Sequence, residues 1–211
     1  MSRDYMHTYK ELTEGMLASF EAKDRAREEA LKLSREMVRN CSIAIRCVHR
    51  KDFDKALRLV NEAYLSLQEI RKLLRDHQDV RYAGFVDDAE QELAEARCIY
   101  SLISRHEILT HEDVDVDPVN YLAGLGDTTG ELRRHILDLI RTGMPEKGEY
   151  FLEMMEEIYY LLMLFDYPDA ITRGLRRKSD LARSMLERTR GDLTNAIEMD
   201  KVANAMRSFI K

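Results

Sequence analysis

Apolar residues recur every three or four positions through most of the chain, the spacing of amphipathic helices that each bury one face. The first stripe runs from about residue 17 to Arg50 through Ala30, Leu33, Met37, Cys41, Ala44 and Val48. A hinge at Lys51–Phe53 follows, and Leu57, Val60, Tyr64, Leu67, Ile70 and Leu74 mark a second helix. The third carries Phe85, Ala89, Leu93, Ala96, Tyr100 and Ile103. The acidic run from Glu112 to Asp117 breaks the pattern, and Pro118 fits the first turn of the next helix with Asp117 as its N-cap. That helix holds Leu122, Leu125, Leu132, Ile136 and Leu139 and stops near Gly143-Met144-Pro145. A fifth carries Phe151, Leu152, Met155, Ile158, Tyr159, Leu162 and Phe165, and a last one runs from about Arg173 to Lys211 through Leu175, Ala182, Leu193, Ala196, Ala203, Met206 and Ile210.

Composition agrees with this reading. Only 9 Gly and 3 Pro in 211 residues leave little punctuation for strands and tight turns, while 45% apolar residues supply a core. The expectation is an all-α fold, a single domain over residues 1–211 with six or seven long amphipathic helices. No stretch approaches the run of about 18 apolar residues that a membrane span needs. Met1-Ser2-Arg3-Asp4-Tyr5 has no apolar run behind it, so no signal peptide is expected. Cys41, Cys47 and Cys98 lack metal-site spacing, and the first two fall on different faces of one helix. They read as small core residues of a reducing compartment, which makes the cytoplasm the expected location.

Charge is unevenly placed along a chain of net charge −6. Residues 81–117 hold 3 basic against 10 acidic residues, and residues 173–190 hold 7 basic against 2 acidic. Solvated helix faces often look like this; a site for a divalent cation is the alternative. The segment from Asp87 to Glu95 sharpens the choice. At about 100° per residue, Glu92 projects only ~40° from the centre of the third apolar stripe, and Glu95 lies ~60° further round, at its edge. A carboxylate in an apolar stripe must be paired, protonated or metal-bound. Two glutamates three apart also repel, which a shared Mg²⁺ or Mn²⁺ would relieve. No Glu-x-x-His, His-Glu-x-x-His, Gly-rich phosphate loop or Gly-x-Ser-x-Gly occurs, which argues against di-iron, zinc-protease, P-loop and serine-hydrolase chemistry.

Three segments together resemble the translin family, in its translin-associated factor X (Trax) branch. They are Leu31-Lys32-Leu33-Ser34-Arg35-Glu36 with Val48-His49-Arg50; Gln91-Glu92-Leu93-Ala94-Glu95-Ala96; and Tyr121-Leu122-Ala123-Gly124-Leu125-Gly126-Asp127-Thr128-Thr129-Gly130-Glu131-Leu132. The similarity covers roughly residues 20–210, in order. In the third segment Gly126 and Gly130 read independently as places where another helix comes close.

The resemblance implies a closed, barrel-like homo-oligomer, octameric in animals, that encloses single-stranded RNA, with Trax-type subunits acting as Mg²⁺-dependent endoribonucleases. It makes Glu92 and Glu95 metal ligands and catalytic residues. The family's third ligand falls at Glu157 on the Phe-Leu helix, with Glu153 one turn back as the substitute. The RNA-binding segments correspond to Lys51, Lys55 and Arg58, and to Arg81. Ordinary solubilising charge is the other reading of those four. Two rivals remain open at this stage: a non-catalytic translin-like oligomer that binds single-stranded RNA or DNA, and a helical scaffold with no nucleic-acid role.

Overall fold

The computed structural model describes residues 2–209, with side chains from Tyr9 to Ser208. Met1, Lys211 and Ile210, the last of which the spacing places on the final apolar stripe, lie outside the described residues. Among those described there is no strand: the chain is all-α. Six long helices carry the architecture: α1 (Ser2–His49), α2 (Phe53–Leu73), α4 (Phe85–Arg105), α6 (Pro118–Arg141), α7 (Glu149–Met163) and α9 (Leu175–Phe209). Three single-turn helices, α3 (Gln78–Arg81), α5 (His111–Val114) and α8 (Asp169–Thr172), lie in the connections, with a 3-10 turn at Pro145–Gly148.

Local chemistry sets the boundaries. The α1–α2 hinge turns on Lys51, whose φ of 61° is left-handed, and Asp52 accepts a hydrogen bond from the Lys55 amide to cap α2. Asp117 caps α6 through the Val119 amide at 3.0 Å with Pro118 just inside, as the sequence predicts. The acidic run is not wholly unstructured: Thr110 and Asp113 form a reciprocal capping box that closes the one turn of α5.

One boundary differs from expectation. Helix α1 begins at Ser2 rather than near residue 17, and its side chains from Tyr9 to Glu29 are almost all exposed. This overhang is held by its own backbone and by local pairs such as Lys10–Glu14, not by a core.

Helix α4 is the centre of the bundle. It packs against α1, α2 and α6, while α6 in turn packs against α7 and α9. Being wrapped on several sides, α4 buries Val86, Ala89, Leu93, Ala94, Ala96, Cys98 and Ile99, and with them the carboxylate of Glu90, 0% exposed. Glu90 accepts from Arg81 at 2.7 Å, Asn120 at 2.8 Å, the Asp117 amide at 3.2 Å and Arg71 at 3.3 Å. That set satisfies the buried charge and ties α2, α3 and the start of α6 to α4. Among the described residues no helix is long and apolar enough to cross a membrane.

Candidate functional site

Helices α1, α4 and α6 meet around a pocket of about 280 Å³ lined by Ser42, Ile45, Arg46, Glu92, Glu95, Glu131 and Arg134. The closeness of α4 and α6 depends on Gly124. A Cβ there would collide with the Gln91 carbonyl oxygen and lie 2.9 Å from the Glu95 amide nitrogen, so no other residue fits without the helices parting. Two turns further along α6, Glu131 lines the pocket with Glu92 and Glu95 of α4, and Asp127, one turn beyond Gly124, is near enough for its charge to act on both.

Four carboxylates in one partly desolvated place disturb each other. Burial, then the charges of Glu92, Asp127 and Glu131, push Glu95 up to about 8. Burial, then Asp127, also raises Glu92. Glu131 goes the other way: His49 stands 2.5 Å from its Oε2 and Arg134 3.6 Å from the same oxygen, and both favour the anion. His49 is nearly buried and its Nδ1 has no partner. Asp127 receives Lys178 of α9, whose Nζ donates to Oδ1 at 2.5 Å and Oδ2 at 2.6 Å, and Gln91, which donates to Oδ2 at 2.7 Å.

This all-oxygen donor set suits a hard divalent cation, and the excess of negative charge around Glu95 would be relieved by one. Among the described residues no three His, Cys, Asp or Glu side chains already stand in metal-holding positions. The reason is visible in the pairing: Asp127 is drawn toward Lys178 and Glu131 toward His49. The chemistry of the donors fits a metal, therefore, with Lys178 on Asp127 and with His49 and Arg134 beside Glu131.

The structure brings Glu92 and Glu95 together but leaves Glu153 and Glu157 out. Both are exposed on α7, which packs mainly on α6 and α9, and Glu157 lines a separate apolar groove with Cys98, Tyr121, Leu125 and Leu161. Glu157 and Glu153, the expected third ligand and its substitute, thus lie away from Glu92 and Glu95, and the carboxylate whose charge bears on both of these is Asp127 of α6. Sequence reasoning also passed over Glu131 and His49. The signal was present: Asp127 and Glu131, four apart on a predicted helix, lie in the Tyr121–Leu132 segment, and His49 closes the first of the three family-like segments.

Lys51, Lys55 and Arg58 are exposed around the α1–α2 hinge, and among the described residues none of the three is in an ion pair. Arg81 differs. Its side chain is turned inward, bonded to Glu90 and 3.7 Å from Asp87, so its charge faces carboxylates within the fold where an RNA contact would need it to face solvent. The basic stretch at residues 173–190 is partly spent in the same way, with Arg173 on Asp87, Lys178 on Asp127 and Arg190 on Glu156. Of these pairs, Arg173 with Asp87 joins the basic stretch to the acidic one at residues 81–117.

A model of the family described as the Translin family matches residues 25–189. An uncharacterized protein of Methanocaldococcus jannaschii is 33% identical over 187 residues, covering 88% of this chain and 82% of the relative. The crystal structure of AfC3PO superposes with a TM-score of 0.82 at 36% identity, covering 90% of this chain and 97% of that one. AfC3PO in complex with duplex RNA gives 0.81 at 35%, with the same coverage. The crystal structure of apo-NeC3PO, at 20% identity and a TM-score of 0.79 over 87% of this chain and 96% of that one, bears on the fold alone.

Proposed function

The chain belongs to the translin family, and from that premise we propose that it is a Mg²⁺-dependent endoribonuclease that acts on single-stranded RNA as a homo-oligomer in the cytoplasm. The observation that carries the reading is the carboxylate cluster of Glu92, Glu95 and Asp127 beneath a rim of Arg46 and Arg134. Carboxylates that hold a cation, beside guanidiniums that attract a phosphate, are the two halves of a phosphodiester-cleaving site.

Each residue has a task in it. Glu92, Glu95 and Asp127 would hold Mg²⁺, or Mn²⁺, through oxygen. When bound, the cation supplies Lewis-acid polarisation of a phosphoryl oxygen and an acidified water. His49 fixes the Glu131 carboxylate at the pocket wall. Arg46 and Arg134 orient the phosphate, and Lys51, Lys55 and Arg58 extend the basic surface along the strand. The relative solved with duplex RNA supports RNA as the ligand class and makes duplex a necessary control. Assembly into a closed shell around the RNA is part of the proposal.

One observation favours the rival, a non-catalytic oligomer that binds single-stranded RNA or DNA: Asp127 already has Lys178 as a cationic partner, and Glu131 has Arg134 at 3.6 Å. Labelled oligoribonucleotides, single-stranded and duplex, separate the two when incubated with Mg²⁺. Wild type and Glu157→Ala should cut, while Glu92→Ala, Glu95→Ala and Asp127→Asn should retain RNA and not cut it. RNA bound by wild type but never cut would establish the rival.

A further inference from the structure

Lys178 is more than one more ion pair. Its ammonium is the cation of α9 that reaches the carboxylate cluster, and it spans both oxygens of Asp127. Its charge also favours the ionised forms of Glu92 and Glu95, so it serves the whole cluster. The fold delivers it there by close packing. Gly126, next to Asp127, has no side chain where α9 crosses, and a Cβ at that position would come within 3.1 Å of the Lys178 Cβ. The side chain is 26% exposed, so it borders solvent as well as Asp127. Gln91 holds Oδ2 independently from α4. If Lys178 withdraws, Gln91 still holds Oδ2, and Oδ1 loses its only hydrogen-bond donor among the described residues.

We propose that Lys178 is a tethered counter-cation that holds Asp127 in the metal-free chain and is displaced from it when a divalent cation binds Glu92, Glu95 and Asp127. Two cations on one carboxylate repel, and with Lys178 26% and Asp127 29% exposed, solvent screens that repulsion only in part. Metal affinity is therefore set by a competition inside the protein, and metal loading changes a contact that seats the start of α9. This rests on the metal-site reading above and deepens it, by naming what the metal must remove.

Two measurements on the full-length protein test it, with Mg²⁺ and Mn²⁺ alone as probes. Titration calorimetry should find roughly tenfold tighter binding to Lys178→Met than to wild type, the size expected of one partly screened unit charge removed. Amine-reactive labelling of the wild type, read by mass spectrometry, should show Lys178 becoming several-fold more reactive on metal saturation while Lys55 stays constant. The labelling arm needs no variant, so it stands even where Lys178→Met folds poorly. Metal bound by wild type with Lys178 labelling unchanged and no gain in Lys178→Met overturns the competition and leaves the metal site intact. No metal bound by wild type or by Lys178→Met overturns the metal site and the competition together. Metal bound only by Lys178→Met supports the competition, with the ammonium winning in the wild type.

Discussion

Glu95 shows how much one side chain can carry. Its carboxyl is held near 8 in the folded chain against its ordinary 4.5, first by burial and then by three neighbouring carboxylates. The native state therefore keeps a proton that the unfolded chain has already released. The stability this contributes is fully present below pH 4.5 and is lost as pH rises toward 8. Lys178 already moderates the shift, and solvent screening reduces the loss further, to on the order of 2 kcal/mol. In metal-free buffer Glu95→Gln should flatten the fall and melt roughly 5 °C above wild type at pH 8. Equal melting temperatures there would mean that the cluster is better solvated than its packing implies. The two cation types divide as clearly. Lys55→Glu should weaken RNA binding at constant stability and flatten the slope of log K against log salt by about 0.7 for each phosphate no longer neutralised. Arg81→Ala should instead destabilise the fold by about 3 kcal/mol in a denaturant titration, because it strips a charge partner from buried Glu90.

At the scale of elements, the seam between α4 and α6 decides whether the site exists. Gly124→Ala puts a methyl against the Gln91 carbonyl and should lower stability by about 1–3 kcal/mol in urea unfolding, with the carboxylates moved apart. Gly130→Ala is the control. Its Cβ would meet the flexible Met185 side chain at 3.5 Å, an ordinary contact, so the gain in helix propensity should leave the variant level with wild type or up to about 1 kcal/mol more stable. If the two variants behaved alike, the close approach would not be what sets the seam. These pairings also explain what the sequence disclosed. The six long helices and the Asp117 cap are legible because spacing and capping are local. Glu92 and Glu95 are legible because they share one helix. Asp127 is invisible as a ligand until α6 is laid against α4, some thirty residues away in sequence. Glu90 is missed for another reason: a single apolar stripe describes a helix packed on one side, and α4 is packed on several. The one-turn helices α3, α5 and α8 are too short to show any period.

Among the described residues of the whole molecule, exposed apolar side chains gather in three stretches, besides single ones such as Leu65 and Ile108. On the overhang of α1, Tyr9, Leu12, Met16 and Phe20 are exposed at helical spacing; Met199, Val202 and Met206 do the same near the end of α9. Leu164, Phe165 and Tyr167 follow the end of α7, beside an apolar groove of about 320 Å³. A soluble monomer seldom keeps this much exposed, so the surfaces call for copies of the chain. Light scattering should return a mass several times 24.7 kDa, and Leu12→Glu with Phe20→Glu should lower it. A clean monomer at micromolar concentration would remove the enclosed RNA chamber from the proposal.

Cys41 lies in a second seam, between α1 and α4, 0% exposed, with burial and the charges of Glu92 and Glu95 pushing its thiol above the ordinary range. An alkylating reagent can meet it only when α1 lifts from α4. The thiol is thus a clock for native-state breathing, and its labelling rate counts how often the carboxylate pocket opens from behind. Any ligand that closes the seam should slow that clock in proportion to its occupancy, whatever its chemistry.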